Sequence, residues 1–146
     1  MQGKKKKMPD LAVLLKMKKL KATAPRLLIL ELLAKSEQPQ AADTIFEKLK
    51  KINKSQKHDL VTLYRNLNSF VAQGILISID LGLGKIFYEF SGNETHHHHH
   101  VVCEKCHKIE HLDVCGLGPY EKLLEGMGYT KIHHRMEFFG ICRACA

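Results

Sequence analysis

Two Cys-x-x-Cys pairs, Cys103/Cys106 and Cys142/Cys145, divide the second half of this 146-residue chain, with 35 residues between them. Each pair offers two thiolates from one tight turn, and two such turns brought together make the tetrahedral sulfur set that zinc prefers. The gap exceeds that of a simple zinc ribbon, so a small subdomain has to fold between the pairs. Disulfides are the competing reading. They are disfavoured because Lys4 to Lys7 are followed by no apolar segment with a small-residue cleavage site, so no secretory signal is expected. We therefore expect a structural zinc on Cys103, Cys106, Cys142 and Cys145. With all four positions filled by protein, such a metal folds a domain and leaves no place for a reactive water. Cys115 is left over and, taken alone, reads as a buried or free thiol.

Charge is segregated from sulfur and imidazole. Residues 1 to 90 hold 17 Lys/Arg against 8 Asp/Glu, a net +9, whereas residues 91 to 146 hold 6 against 7, a net −1. All five cysteines and nine of the ten histidines follow residue 95. A basic module thus precedes a metal-binding one. Basic, largely helical modules point to a polyanion partner, because phosphate neutralisation supplies most non-specific nucleic-acid affinity; solubilising surface charge is the plainer alternative. At 45% hydrophobic and 26% charged the chain is globular, and its length excludes a large multidomain enzyme. Apolar runs such as Leu11 to Leu15 fall far short of the roughly 18 residues that cross a bilayer, so a soluble, cytoplasmic protein is expected.

Periodicity organises the basic module as helices followed by a hairpin. Leu11, Leu14 and Leu15 after Asp10 predict a short first helix, and the dense run Leu27 to Leu33 after Pro25 predicts a buried second one, entered through a Thr23 N-cap or a short turn. Past Pro39, Ala41, Ala42, Ile45, Phe46, Leu49 and Ile52 predict a third helix, and residues 53 to 57 a loop. Asp59 is the expected N-cap of a fourth helix, with Leu60, Leu63, Tyr64, Leu67, Phe70 and Val71 on its apolar positions and Gly74 as its stop. Ile75 to Asp80 and Lys85 to Phe90 then read as a two-stranded hairpin. This order is that of a winged helix-turn-helix, whose recognition helix, here the fourth, enters the DNA major groove. We expect an α+β chain: a winged-helix domain over 1–90, a polar linker over 91–95, and a small α/β domain over 96–146. In the latter, strands are expected over 107–113 and 129–141, with a helix over 119–127.

The run His96 to His100, directly before Val101, Val102 and Cys103, supplies the remaining chemistry. If extended, it points alternate imidazoles to opposite faces, so His98 and His100 serve one site and His97 and His99 another. A tag or a solvated polar run is the bland alternative. Glu89, His111, His133 and His134 are further donors, and on strand alternation His134 shares a face with Ile132, Met136 and Phe138 while His133 lies opposite. Mixed imidazole and carboxylate ligands suit divalent zinc, iron, nickel, manganese or cobalt.

Five segments together resemble the ferric uptake regulator family. They are Thr23-Ala24-Pro25-Arg26, Val61-Thr62-Leu63-Tyr64-Arg65-Asn66-Leu67, Phe87-Tyr88-Glu89, the histidine run before the first Cys-x-x-Cys, and Phe139-Gly140-Ile141-Cys142. The resemblance runs from about residue 11 to the end. It implies a homodimeric, metal-responsive repressor, not an enzyme, with a C-terminal dimerisation domain and a double-stranded DNA operator as partner, and with neither a membrane nor a small-molecule substrate. It implies DNA contacts at Thr62, Tyr64 and Arg65, and a backbone contact at Arg26; the alternatives are core packing for Tyr64 and solvated charge for the arginines. It places the structural zinc on the four paired cysteines, a regulatory metal, iron or zinc, on Glu89, His98, His100 and His111, and a second site on His97, His99 and His134.

Two departures from the family pattern stand out. Ser36 to Gln40 offers no histidine before the third helix, so Glu89 alone would tie the sensing metal to the DNA-binding domain. Leu117 and Gly118 occupy the place of an acidic ligand of the second site, which is then incomplete or completed by Cys115 or Glu121. Within the family, peroxide, nickel or manganese sensing is the alternative to iron or zinc. From other classes, a metal-dependent nuclease with Glu110 as general base, or a zinc-stabilised adaptor or storage protein, ranks lower.

Overall fold

A computed structural model of the chain describes residues 9–52, 59–91, 99–112, 114–134 and 136–146. The expected loop over 53–57 and most of the expected linker lie outside these residues. The chain divides into two compact units, residues 1–93 and 94–146.

In the first unit, α1 (Leu11–Met17) opens at Asp10, whose carboxylate accepts from the backbone N–H groups of Ala12 and Val13 and so satisfies two of the amides a helix start leaves free. The next helix, α2 (Ala24–Ala34), has Pro25 in its first turn; Thr23 occupies the N-cap position without a side-chain cap bond. A two-residue strand, β1 (Gln40–Ala41), leads into α3 (Ala42–Ile52), and α4 (Leu60–Ala72) follows. Leu63, Leu67 and Phe70 of α4, three and four residues apart, are buried against Leu15, Leu30 and Ile45. At its end the backbone turns left-handed at Gly74 (φ +67°), and the Ile75 N–H returns to the Phe70 carbonyl at 2.9 Å.

The hairpin of β2 (Leu76–Asp80) and β3 (Ile86–Phe90) turns through Gly82 and Gly84, both at positive φ. It is one strand wider than expected. β1 pairs antiparallel with β3, Gln40 opposite Tyr88, giving the order β1-β3-β2. Two residues after a proline carry too short a pattern to be read as a strand, and only the edge offered by β3 makes them one.

The second unit is a three-stranded sheet and one helix: β4 (His99–Cys103), β5 (Ile109–Leu112), α5 (Gly118–Gly126) and β6 (Glu137–Gly140), in the sheet order β5-β4-β6. β5 runs antiparallel to β4 and β6 parallel to it. The long strand expected over 129–141 is reduced to 137–140. Lys131 (φ +55°) is left-handed, which breaks the extended path, so the alternation that placed His134 on one face with Ile132 and Met136 crosses residues 131–134, which are not a strand. Among the described residues, the buried apolar side chains of this unit are Val102, Cys103 and Ile109, and α5 buries none.

Candidate metal centres and nucleic-acid face

The parallel pairing of β4 with β6 explains how a 35-residue gap closes. Cys103 ends β4 beside Gly140, the last residue of β6, so the second Cys-x-x-Cys begins where the first begins. Each pair is then a tight turn: the His107 N–H returns to the Cys103 carbonyl, and the Cys145 N–H to that of Cys142, both at 2.8 Å. His107 takes a left-handed φ of 60° to complete the first turn, and Lys105 Nζ caps the Cys145 carbonyl at 3.0 Å. All four sulfurs lie within 4.8 Å of one another.

The Cys106 and Cys142 sulfurs are 3.7 Å apart. That is far beyond a disulfide bond and close to the separation of about 3.8 Å that two thiolates keep when each sits about 2.3 Å from a tetrahedral zinc. Backbone N–H groups of Cys142 and Cys106 aimed at the Cys103 sulfur hold its thiol down at about 6, Cys142 N lying 3.3 Å away. Hydrogen bonds with the Cys106 and Cys142 sulfurs push the Cys145 thiol up to about 12. A divalent ion relieves this opposition by binding all four as thiolates, so the donor set fits zinc.

Successive residues of β4 point to opposite faces, and the two histidines at its start part accordingly. His100, 5% exposed, stands opposite His111 in the β4–β5 register, with ring centroids 5.1 Å apart and the rings nearly perpendicular. His99, 2% exposed, turns the other way and stacks on His134, centroids 5.2 Å apart. His99 and His100 thus face opposite sides of β4, as the alternation predicts, while His97 and His98 lie outside the described residues. Glu89 is half-buried on β3 of the first unit, opposite Ile77.

Around His134 the structure assembles a group that includes a residue the spacing alone left unassigned. Its Nε2 lies 3.4 Å from His99 Nε2 and 3.2 Å from Cys115 Sγ, and its Nδ1 lies 3.0 Å from Glu121 Oε1. With its ring proton on Nδ1, His134 donates to the Glu121 carboxylate and turns Nε2 toward His99 and Cys115. Cys115 and Glu121 therefore play different parts. The thiol joins the donor atoms, and the carboxylate, on α5, braces the ring from behind.

On the first unit, α4 presents Val61, Thr62, Tyr64, Arg65 and Asn68 outward while Leu63, Asn66, Leu67 and Phe70 are buried. Tyr64 is 47% exposed, which removes the core-packing alternative for it. Thr62 donates both its N–H and its Oγ1–H to the Asp59 carboxylate, each at 2.9 Å, so its hydroxyl helps cap the helix. These bonds, the backbone N–H first, hold the Asp59 carboxyl below the usual carboxylate range. Arg26 does not reach freely into solvent. Its Nε donates to Asn66 Oδ1 and its Nη1 to the Lys21 carbonyl, both at 3.1 Å.

A family model described as the ferric uptake regulator family matches residues 17–139. The peroxide-responsive repressor PerR of Staphylococcus epidermidis is 32% identical over 124 residues, covering 84% of this chain and 79% of that protein. Among solved structures, the ferric uptake regulator of Vibrio cholerae is 30% identical with a TM-score of 0.75, over 91% of this chain and 100% of the other. The ferric uptake regulator of Francisella tularensis with iron is also 30% identical, with a TM-score of 0.71, over 86% and 94% of the two chains.

Proposed function

The chain belongs to the ferric uptake regulator family, and from that membership we propose that it is a metal-dependent transcriptional repressor that binds a palindromic DNA operator as a homodimer. The observation that carries the reading is the division of α4 into a sealed inner face and an outer face bearing Tyr64 and Arg65, on a unit of net positive charge. A helix so presented enters a major groove, with Arg65 and Tyr64 at base edges or phosphates and Thr62 at the helix start. In this reading Arg26 positions α4 rather than contacting phosphate.

Cys103, Cys106, Cys142 and Cys145 hold a structural zinc. Glu89, His98, His100 and His111 hold the regulatory ion, iron or zinc, and the His100–His111 pair across β4 and β5 supports this assignment. Bound there, the ion supplies positive charge and fixed ligand geometry. It raises DNA affinity only as far as it binds the DNA-competent arrangement better than the other. Dimerisation is supported by the second unit, which exposes Val114, Leu123, Met127, Phe138, Phe139 and Ile141 and buries little apolar surface of its own. Two-fold symmetry then makes the operator pseudo-palindromic.

Anisotropy of a labelled A/T-rich inverted-repeat duplex tests the reading, using protein that keeps its tight zinc but is stripped of exchangeable ions. Affinity that rises with one divalent ion at fixed salt supports it and names the effector; affinity indifferent to every ion overturns it. A second reading, peroxide sensing, draws on the relatives named as peroxide-responsive repressors. It requires that hydrogen peroxide abolish DNA binding by the iron-loaded protein and leave the zinc-loaded protein bound.

A further inference from the structure

We propose that Val61 is a base-reading residue, which sets its methyl groups against the C5-methyl of a thymine in the DNA major groove and so selects a T·A pair in each half-site. The inference deepens the repressor reading and rests on it. Helical geometry puts Val61 in the middle of the outward face of α4. At about 100° per residue, Phe70 lies about 180° around the axis from Val61, and Phe70 is 0% exposed. Leu63 and Leu67 fall on the side of Phe70, whereas Tyr64 and Arg65, three and four residues on, flank Val61 on either hand. Val61 is accordingly 64% exposed, more than Tyr64 at 47%. It is also the second residue of the helix, and the N-terminal residues of a recognition helix are those that reach base edges.

What the first turn offers at that place is hydrocarbon. Val61 has no hydrogen-bonding group in its side chain, and Thr62 beside it already donates its hydroxyl to Asp59 at 2.9 Å. Among the base edges of the major groove the one apolar group is the thymine methyl; cytosine presents N4–H2, adenine N6–H2 and N7, and guanine O6 and N7. A valine pressed against any of these polar groups leaves it desolvated and without a partner, so Val61 discriminates by exclusion as well as by attraction. A β-branched side chain in a helix keeps essentially one χ1 rotamer, so Val61 loses little freedom on contact. Its helix propensity is below that of alanine or lysine, and at 64% exposure no core packing offsets the difference. The surrounding charge fits the same occupant. Arg65 and the net positive charge of residues 1–90 attract the phosphates that border the groove, where an apolar protein partner would meet uncompensated charge.

Deoxyuridine, whose base differs from thymine only by the missing C5-methyl, supplies the test. Full-length, metal-loaded protein is titrated by anisotropy, at fixed salt, with the A/T-rich inverted-repeat duplex and with a series in which one symmetry-related pair of thymines at a time is replaced by deoxyuridine. At one position the replacement should weaken wild-type binding by about fourfold per methyl, or about 16-fold for the pair, the effect of returning one hydrocarbon group to water in each half-site. Val61→Ala should bind the parent duplex more weakly by about that factor and, at that position, should bind thymine and deoxyuridine alike to within about twofold. Arg65→Ala should bind more weakly yet keep the full deoxyuridine penalty there, which separates loss of base reading from loss of affinity. Circular dichroism and melting temperature of Val61→Ala should match the wild type. A deoxyuridine penalty that is the same in Val61→Ala and wild type at every position overturns the proposal and leaves the repressor reading standing, as does the lack of any penalty on a duplex bound in a metal-dependent way. Failure of every divalent ion to raise binding of the parent duplex overturns both.

Discussion

Arg26 Nε donates to Asn66 Oδ1 at 3.1 Å, joining the first turn of α2 to the inner face of α4 across 40 residues of sequence. Asn66 is only 8% exposed and sits among Leu63, Leu67 and Phe70, so its amide is a polar group inside an apolar interface. Satisfied, it sets the rotation of α4 against α2, and with it the direction in which Tyr64 and Arg65 point; without a partner it is a desolvated acceptor.

Arg26→Ala is therefore expected to destabilise the first unit by about 1 to 3 kcal/mol, the cost of a buried acceptor left unmade. Urea denaturation followed by circular dichroism measures it. Arg26→Lys should restore little, because an ammonium cannot reach Asn66 and the Lys21 carbonyl at once as the guanidinium fork does. A wild-type midpoint in Arg26→Ala would remove the bond from any positioning role.

Arg65 is exposed on the outer face of α4. Arg65→Ala should weaken operator binding by about 1 to 3 kcal/mol if the side chain reads a base edge. If it meets a phosphate, the slope of log affinity against log salt should fall by about one. Zinc content and melting temperature should not change. Unaltered affinity and slope in the same titration would place Arg65 off the DNA.

The gate should close with the imidazole pair. A typical coupling of 1 to 3 kcal/mol corresponds to a rise of about 5- to 150-fold in DNA affinity on loading. His100→Ala or His111→Ala should bring that ratio to near one while the affinity of the unloaded protein stays as in the wild type. A full response to the effector in either variant would move the sensing site elsewhere.

Removing zinc from the four-cysteine cluster should unfold the second unit and spare the first. Among the described residues, buried Val102, Cys103 and Ile109 are a slender apolar core for the second unit, whereas the first is packed around Leu15, Leu30, Leu33, Leu67 and Phe70. Structural zinc is worth on the order of 10 kcal/mol in peptides that fold around it, enough to make this unit conditional on the ion. Cys142→Ser, or a strong chelator at acidic pH, should abolish amide protection in β4–β6 and leave that of α4 intact. Protection that persists in β4–β6 after zinc is lost would show that the sheet folds without it.

Much of this molecule was legible in residue order because its signals are local. Apolar spacing along 60–71, Asp59 before it and Gly74 after it define a capped helix within a few turns. Each Cys-x-x-Cys is a self-contained pair of ligands, and alternation along the histidine run is enough to send His99 and His100 to opposite faces of β4. The resemblance to a known family rested on such short segments, each a local pattern.

What only tertiary structure decided involves partners distant in sequence. The parallel register of β4 and β6 lays Gly140 beside Cys103 and so unites the two cysteine pairs, β3 turns Gln40 and Ala41 into a third strand, and Arg26 finds Asn66. A left-handed turn at Lys131 cuts short the strand that alternation extended through His134, yet its ring meets His99 and Cys115. No spacing rule reaches such contacts. They depend on the path taken by the whole intervening chain, whereas periodicity and caps depend only on the rise and turn of a single element.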